Sequence, residues 1–219
     1  MKKLINSFRE MFIVPEWVRA GEISAKGSEL RYWKETGLVK GSDIYDNYLR
    51  LFKLDKNQFK DQVVADFGAG PFGGILGRLD GIREGYPIDV LAEEYNKMAR
   101  SKFPIIPFYD GRSSVVSSSC DAVFCTNMID HTPYPDMIVA ELSRILRPRG
   151  RLFVHLHLRK RYELNKVHPF PWSEKKFRKA FKNFHITSLM TDFPDWVNGN
   201  ELHMLWAECE KPDQGIRKN

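Results

Sequence analysis

The chain predicts an α/β protein: a three-layer α/β/α sandwich whose seven-stranded, mostly parallel sheet ends in a C-terminal antiparallel hairpin. Three observations carry this. Short apolar runs of strand type alternate with helical patterns between Val63 and Leu158, the order expected of βα units around a parallel sheet. The first run, Val63-Val64-Ala65, leads straight into the bend Asp66-Phe67-Gly68-Ala69-Gly70-Pro71-Phe72-Gly73-Gly74. Two long strand-type segments, His185–Thr191 and Glu201–Glu210, close the chain around a turn with Pro194 and Asn198-Gly199-Asn200. With 219 residues and 42% hydrophobic content there is material for one sizeable core and too little for two. The expected organisation is an N-terminal helical cap over 1–58, a ligand-binding domain over 59–211 and a frayed tail over 212–219.

Residues 3–12 place Leu4, Ile5, Phe8, Met11 and Phe12 at helical spacing, a stripe suited to docking on the domain. Ser28 is an N-cap candidate for a helix ending at Gly37 that carries Leu30, Tyr32 and Trp33. A third helix over Ser42–Leu54 offers Ile44, Tyr48, Leu51 and Phe52 for burial. Trp33, Tyr32 and Tyr45 are lid candidates. After the glycine-rich bend, a helix from Phe72 to about Leu79 returns the chain to a second strand, Tyr86–Asp89. Val90–Lys102 reads as helix, Ile105–Tyr109 as a short third strand, Ser117–Ser119 as loop and Ala122–Thr126 as a buried fourth strand. Pro133 and Pro135 start a helix to about Leu146, Arg147–Gly150 turns back, and Leu152–Leu158 is strand five. His168–Trp172 is a loop, and Ser173 caps a basic helix to Phe184.

Charge is polarised. Between Arg144 and Lys182 stand thirteen Lys/Arg against two acids, an excess of +11 in a chain of net +6. That face suits either solvated helices or an anionic partner such as RNA. No run of eighteen apolar residues exists, so no membrane span is expected. Arg9 and Glu10 break the early apolar stretch, and a cytoplasmic location is expected. Cys120, Cys125 and Cys209 are odd in number and lack metal or disulfide spacing, which suits reduced core residues.

Gly68 and Gly70 allow positive φ and close approach of a ligand to the main chain. Read as G-x-G-x-x-G (Gly68, Gly70, Gly73), the bend could cradle a dinucleotide pyrophosphate. Asp66 argues otherwise: its charge opposes a phosphate and suits a cation. Asp89, at the end of the next apolar run, is placed to accept hydrogen bonds from a ribose diol. A cationic group and a ribose on one ligand point to S-adenosylmethionine.

At these residues the sequence resembles the class I S-adenosylmethionine-dependent methyltransferases. The likeness runs from Asp66-Phe67-Gly68-Ala69-Gly70-Pro71 and Asp89 through Asp121–Asn127, His131 and Leu142–Leu152, roughly residues 60–160. Asp89–Asn96 together with Asn127-x-x-Asp130-His131 looks like a bacterial subgroup associated with glycan or other small-molecule methylation. The resemblance implies that Asp66, Gly68 and Gly70, within the Asp66, Phe67, Gly68, Ala69, Gly70, Pro71 motif, hold the methionine end. Asp89 with Val90 would serve the ribose, Gly111, Arg112 and Ser113 the adenine, and Asn127 with Met128 the body of the cofactor. The acidic tetrapeptide usual at the adenine is absent. The released product would be S-adenosylhomocysteine.

Methyl transfer needs an aligned nucleophile and, for an alcohol or phenol, a base. His131 is the leading base candidate, with Asp130 orienting or replacing it and His168 as the alternative from the later loop. His155 and His157 share a strand face but lack further ligands at useful spacing, so no metal is expected. Asn127 is followed by Met-Ile, not Pro-Pro-aromatic, and no Pro-Cys nucleophile exists, which speaks against nucleobase methylation. The expected activity is methyl transfer to an oxygen of a small-molecule or glycan-type acceptor. An RNA methyltransferase, a catalytically silent partner-binding protein and an NAD-dependent oxidoreductase are the alternatives, and oligomeric state is not read from the sequence.

Overall fold

The computed structural model describes residues 26–37, 43–158, 170–192 and 203–213. The first helical segment, α1, covers 26–37, its last turn a π-turn at Trp33–Gly37. Helix α2 is Asp43–Leu51. Strands β1 (Val63–Phe67), β2 (Glu84–Asp89), β3 (Ile106–Pro107), β4 (Cys120–Thr126) and β5 (Leu146–Leu158) follow, with α3 (Ala92–Met98) between β2 and β3 and α4 (Pro135–Ile145) between β4 and β5. Helix α5 (Glu174–Ala180) precedes β6 (His185–Asp192) and β7 (His203–Glu210).

The seven strands lie in the order β3-β2-β1-β4-β5-β7-β6. The first five pair in parallel and β7 runs antiparallel to both β5 and β6. Both faces are covered, which is why β1 is buried along its whole length. Val63, Ala65 and Phe67 point into one core layer with Ile138, Leu142 and Ile145 of α4 and Phe177 of α5. Val64, Phe124 and Phe153 point into the other, with Tyr45, Tyr48 and Leu49 of α2. A smaller cluster of Trp33, Leu91, Ala92, Tyr95 and Ile105 fixes α1 over the β2–α3 corner.

Several elements depart from their expected bounds. The helix expected from Phe72 to Leu79 is a single 3₁₀ stretch, Gly74–Arg78, because Gly73 and Gly74 take φ of 74° and 66°. Ser28 lies inside α1 and does not cap it. Helix α2 stops at Leu51, short of Leu54, with Lys53 left-handed at φ 55°. Helix α3 ends at Met98, where Ala99 turns left-handed at φ 50°. Strand β3 keeps two residues, since Pro107 offers no N–H to extend the ladder. The turn expected at Arg147–Gly150 is a bulge inside β5: Cys120 pairs with Leu146 and Ala122 with Arg151. Helix α5 ends at Ala180, short of Phe184, though Ser173 does cap it, accepting from Lys176 N at 3.2 Å. Lys211 is anchored, its Nζ donating to Ser143 O and Leu146 O at 2.6 Å each. The 3–12 stripe, His168, the hairpin turn and residues 214–219 lie outside the described residues. No helix among the described residues is long and apolar enough to cross a membrane.

Phe153 is the centre of the second core layer: it stacks on Phe124 at 4.7 Å and meets Phe52 and Phe59 edge-on at 5.5 and 5.8 Å. Phe153→Ala is expected to cost about 3–5 kcal/mol, read from the shift of a urea unfolding curve at unchanged slope.

Candidate functional site

The bend after β1 is tied down by main-chain bonds to β2: Gly68 N and Ala69 N both donate to Ile88 O, at 2.8 and 3.2 Å. Asp89 completes the tie. Its Oδ2 accepts from Gly70 N at 3.0 Å and its Oδ1 from Leu91 N at 2.8 Å. Gly68, at φ 84°, is required by crowding as well, since a Cβ there would lie 2.5 Å from Met128. Gly74 serves a different neighbour: a Cβ would collide with the Asp66 carboxylate, which accepts from Ile75 N at 2.7 Å.

Burial raises both strand-tip acids. Asp66 is pushed up to about 7 by burial, against the pull of the Ile75 N–H. Asp89 is raised to about 6 by burial, with the Leu91 and Gly70 N–H groups opposing.

Beyond the carboxyl ends of the strands opens a cavity of about 540 Å³, within the range of small-molecule sites. Its floor includes Gly68, Gly70, Asp89 and Asn127. Lys26, Glu29 and Trp33 of α1 and Ile44, Tyr45 and Tyr48 of α2 form the opposite wall. His131, Thr132 and Tyr134, from the loop after β4, close the side toward β5. Tyr45 latches α2 to the bend by donating to Ala69 O at 3.2 Å. Tyr48 is 3% exposed, its ring resting on His155 at 5.4 Å and Trp206 at 5.8 Å. Burial holds its phenol far above the ordinary value, so it stays a protonated donor.

Of the residues expected at the site, Gly68, Gly70, Asp89, Val90, Gly111, Asn127, Met128 and His131 come together on this cavity. The other candidates among the described residues do not line it. Asp66 is 1% exposed and braces the bend from behind. Phe67 is core, edge-on to Phe108 at 4.8 Å. Ala69 turns its carbonyl to Tyr45, and Pro71 belongs to the turn after it. Arg112 pairs main chain to main chain with Tyr109. Ser113 is buried against Glu141, its hydroxyl 2.7 Å from Oε1. Asp130 is fully buried, its Oδ2 3.3 Å from His157 Nδ1. Of the lid candidates, Trp33 and Tyr45 line the cavity and Tyr32 is 54% exposed. His155 and His157 meet ring to ring at 5.4 Å, and among the described residues no group of three or more His, Cys, Asp or Glu could hold a metal. The sequence reading missed Lys26, Glu29 and Tyr48, although the three- and four-residue steps from Lys26 to Glu29 to Trp33 were visible in it.

Residues 86–154 match the model of the methyltransferase domain family. The fold is shared with the Haloferax volcanii complex of the Trm112 methyltransferase activator with a methyltransferase, at 17% identity and TM-score 0.62 over 84% of this chain and 98% of that one. It is shared with an S-adenosylmethionine-dependent methyltransferase from Aquifex aeolicus, at 14% identity and TM-score 0.58 over 84% and 97%. A Burkholderia thailandensis 1,6-didemethyltoxoflavin-N1-methyltransferase, solved with that molecule and S-adenosylhomocysteine, matches at 17% identity and TM-score 0.59 over 92% of each chain. No curated protein sequence matches. Sheet order, bend and cavity define the class I, Rossmann-like methyltransferase fold. The methyltransferase-domain match, residues 86–154, lies within that fold.

The raised Asp66 makes a stability prediction. A carboxylate whose folded value is about 7 against an ordinary 3.8 contributes stability that is full below 3.8 and lost as pH rises through 7. The ligand-free protein should therefore melt at higher temperature at pH 6 than at pH 8, and Asp66→Asn should flatten that difference in thermal unfolding scans.

Proposed function

We propose that the enzyme transfers the methyl group of S-adenosylmethionine to an oxygen of a small-molecule or glycan-type acceptor in the cytoplasm. In this reading the 1–58 helices and the 160–182 region shape the acceptor site. One observation carries it: a single cavity has carboxylate-braced glycines on the β1–β2 side and His131 with the Tyr48 phenol on the β4–β5 side. The residues present suit the cofactor. Asp89 keeps lone pairs beyond the two it gives to Gly70 and Leu91. Asn127 Oδ1 is buried with no partner, a polar atom that a ligand donor would satisfy.

When bound, the cofactor supplies an electrophilic methyl on a sulfonium. Asp89 holds the ribose hydroxyls, and Gly68 and Gly70 let the methionine end lie against the main chain. His131 accepts the proton of the acceptor hydroxyl, and the protonated Tyr48 donates a hydrogen bond on the same side. Trp33, Tyr45 and Ile44 keep water out. The unbridged cysteines fit a reducing compartment, and the Burkholderia enzyme, solved with 1,6-didemethyltoxoflavin bound, supports a small-molecule acceptor.

The RNA reading draws on the basic 144–182 segment, and among the described residues four of its thirteen cations are ion-paired. Arg144 pairs with Glu141, Arg147 with Asp121, Arg151 with Glu208 and Arg178 with Glu174. Product formation from S-adenosylmethionine with hydroxylated small molecules, and none with RNA, is the expected outcome of an acceptor screen. Turnover on RNA that falls steeply with salt would reverse it.

Two substitutions separate binding from chemistry. Asp89→Ala should weaken S-adenosylhomocysteine binding about tenfold or more by calorimetry, as loss of a charge-assisted hydrogen-bond pair implies. His131→Ala should bind within about twofold of wild type and lose about 10²–10⁴ in turnover on the acceptor so found.

A further inference from the structure

Helix α1 brings residues 26, 29 and 33 to the cavity, steps of three and four that lay one helical face over the bend. Trp33 is the fixed point of that face. It is 8% exposed, meets Phe72 edge-on at 5.8 Å, and its indole lies 3.7 Å from where a Cβ on Gly70 would sit. From that position its Nε1 donates to Glu29 Oε1 at 2.6 Å. The Glu29 carboxylate is thus held at the cavity by a side chain that is itself locked in the core, and the indole uses only one of about four lone-pair sites on it.

Glu29 also reaches Asp89 electrostatically: it pushes the Asp89 carboxyl up while Lys26 pulls it down. The acids of α1 and β2 therefore share one volume. The donor and its demethylated product have the same adenosine and the same amino-acid end. They differ by one methyl and one positive charge. Contacts of shape cannot separate them strongly, whereas a fixed carboxylate can.

Resting on the S-adenosylmethionine reading, we propose that Glu29 is a charge-selecting residue of the donor site, delivered by α1 and positioned by Trp33, that favours the cationic donor over the neutral product. Helix α1 then does more than cover the cavity. It adds a second carboxylate to the one Asp89 presents, on the face that also carries Lys26, and it disfavours retention of spent product.

The test is calorimetric titration of the full chain with S-adenosylmethionine and, separately, with S-adenosylhomocysteine. Glu29→Gln should lower affinity for the cation about tenfold and change affinity for the neutral product by less than about twofold, the retained product binding showing an intact site. Trp33→Phe keeps an aromatic ring but removes the N–H, and should shift the ratio of the two affinities in the same direction. Glu35→Gln removes an exposed charge from the same helix and should leave both affinities unchanged. Equal losses for the two ligands in Glu29→Gln, or no loss for either, would overturn charge selection by Glu29. Wild-type protein that binds neither ligand would overturn the donor reading, and this inference with it.

Discussion

The two hydrogen bonds into the Asp89 carboxylate are the constraint on which the site depends. A glycine-rich bend is entropically free, and without a tie it has many ways to collapse into the cavity. Asp89 joins the bend, through Gly70, to the start of the β2–α3 turn, through Leu91. Burying that charge is costly, as its raised value of about 6 records, and the two N–H groups offset part of the cost. The same carboxylate is left facing the cavity, so the group that shapes the site can also contact what enters it.

Asp66 does for the inner side of the bend what Asp89 does for the outer. It accepts from Ile75 N and fills the room that Gly74 leaves. Two acids on adjacent strands thus hold one loop from both sides, and aromatic packing carries that rigidity outward. Tyr45 fastens α2 to the loop, and Trp33 wedges α1 against Phe72 and the β2–α3 corner. The wall facing the bend is therefore built from helices that contact the loop directly.

The sheet was legible because its signal is simple. β-branched runs such as Val63-Val64 and the long apolar stretches of β4 and β5 can hardly be anything but strands covered on both faces. The terminal hairpin followed from its length and alternation. The errors fall where a local detail beats the period: adjacent glycines at 73 and 74 reduce an expected α-helix to 3₁₀, Pro107 truncates β3, and Arg149 at φ 60° permits a bulge where a plain turn was expected. In the site, Gly68, Gly70 and Asp89 were read from their own chemistry, Asn127, Met128 and His131 from their place after strand four, and Gly111 through the family resemblance. Those whose side chains turn away, Asp66, Ser113 and Asp130, could not be told apart, because direction depends on partners distant in sequence: Ile75, Glu141 and His157. Tyr48 and Glu29 were passed over for the opposite reason. On an amphipathic helix a residue facing a cavity has the same spacing as one facing a core.

The most direct measurement is a crystal structure of the protein grown with S-adenosylhomocysteine. The ribose diol should lie within hydrogen-bonding distance of the Asp89 carboxylate, with the amino-acid end against the main chain of Gly68 and Gly70. Ligand density elsewhere on the molecule, or a ribose out of reach of Asp89 with the bend unchanged, would contradict the account.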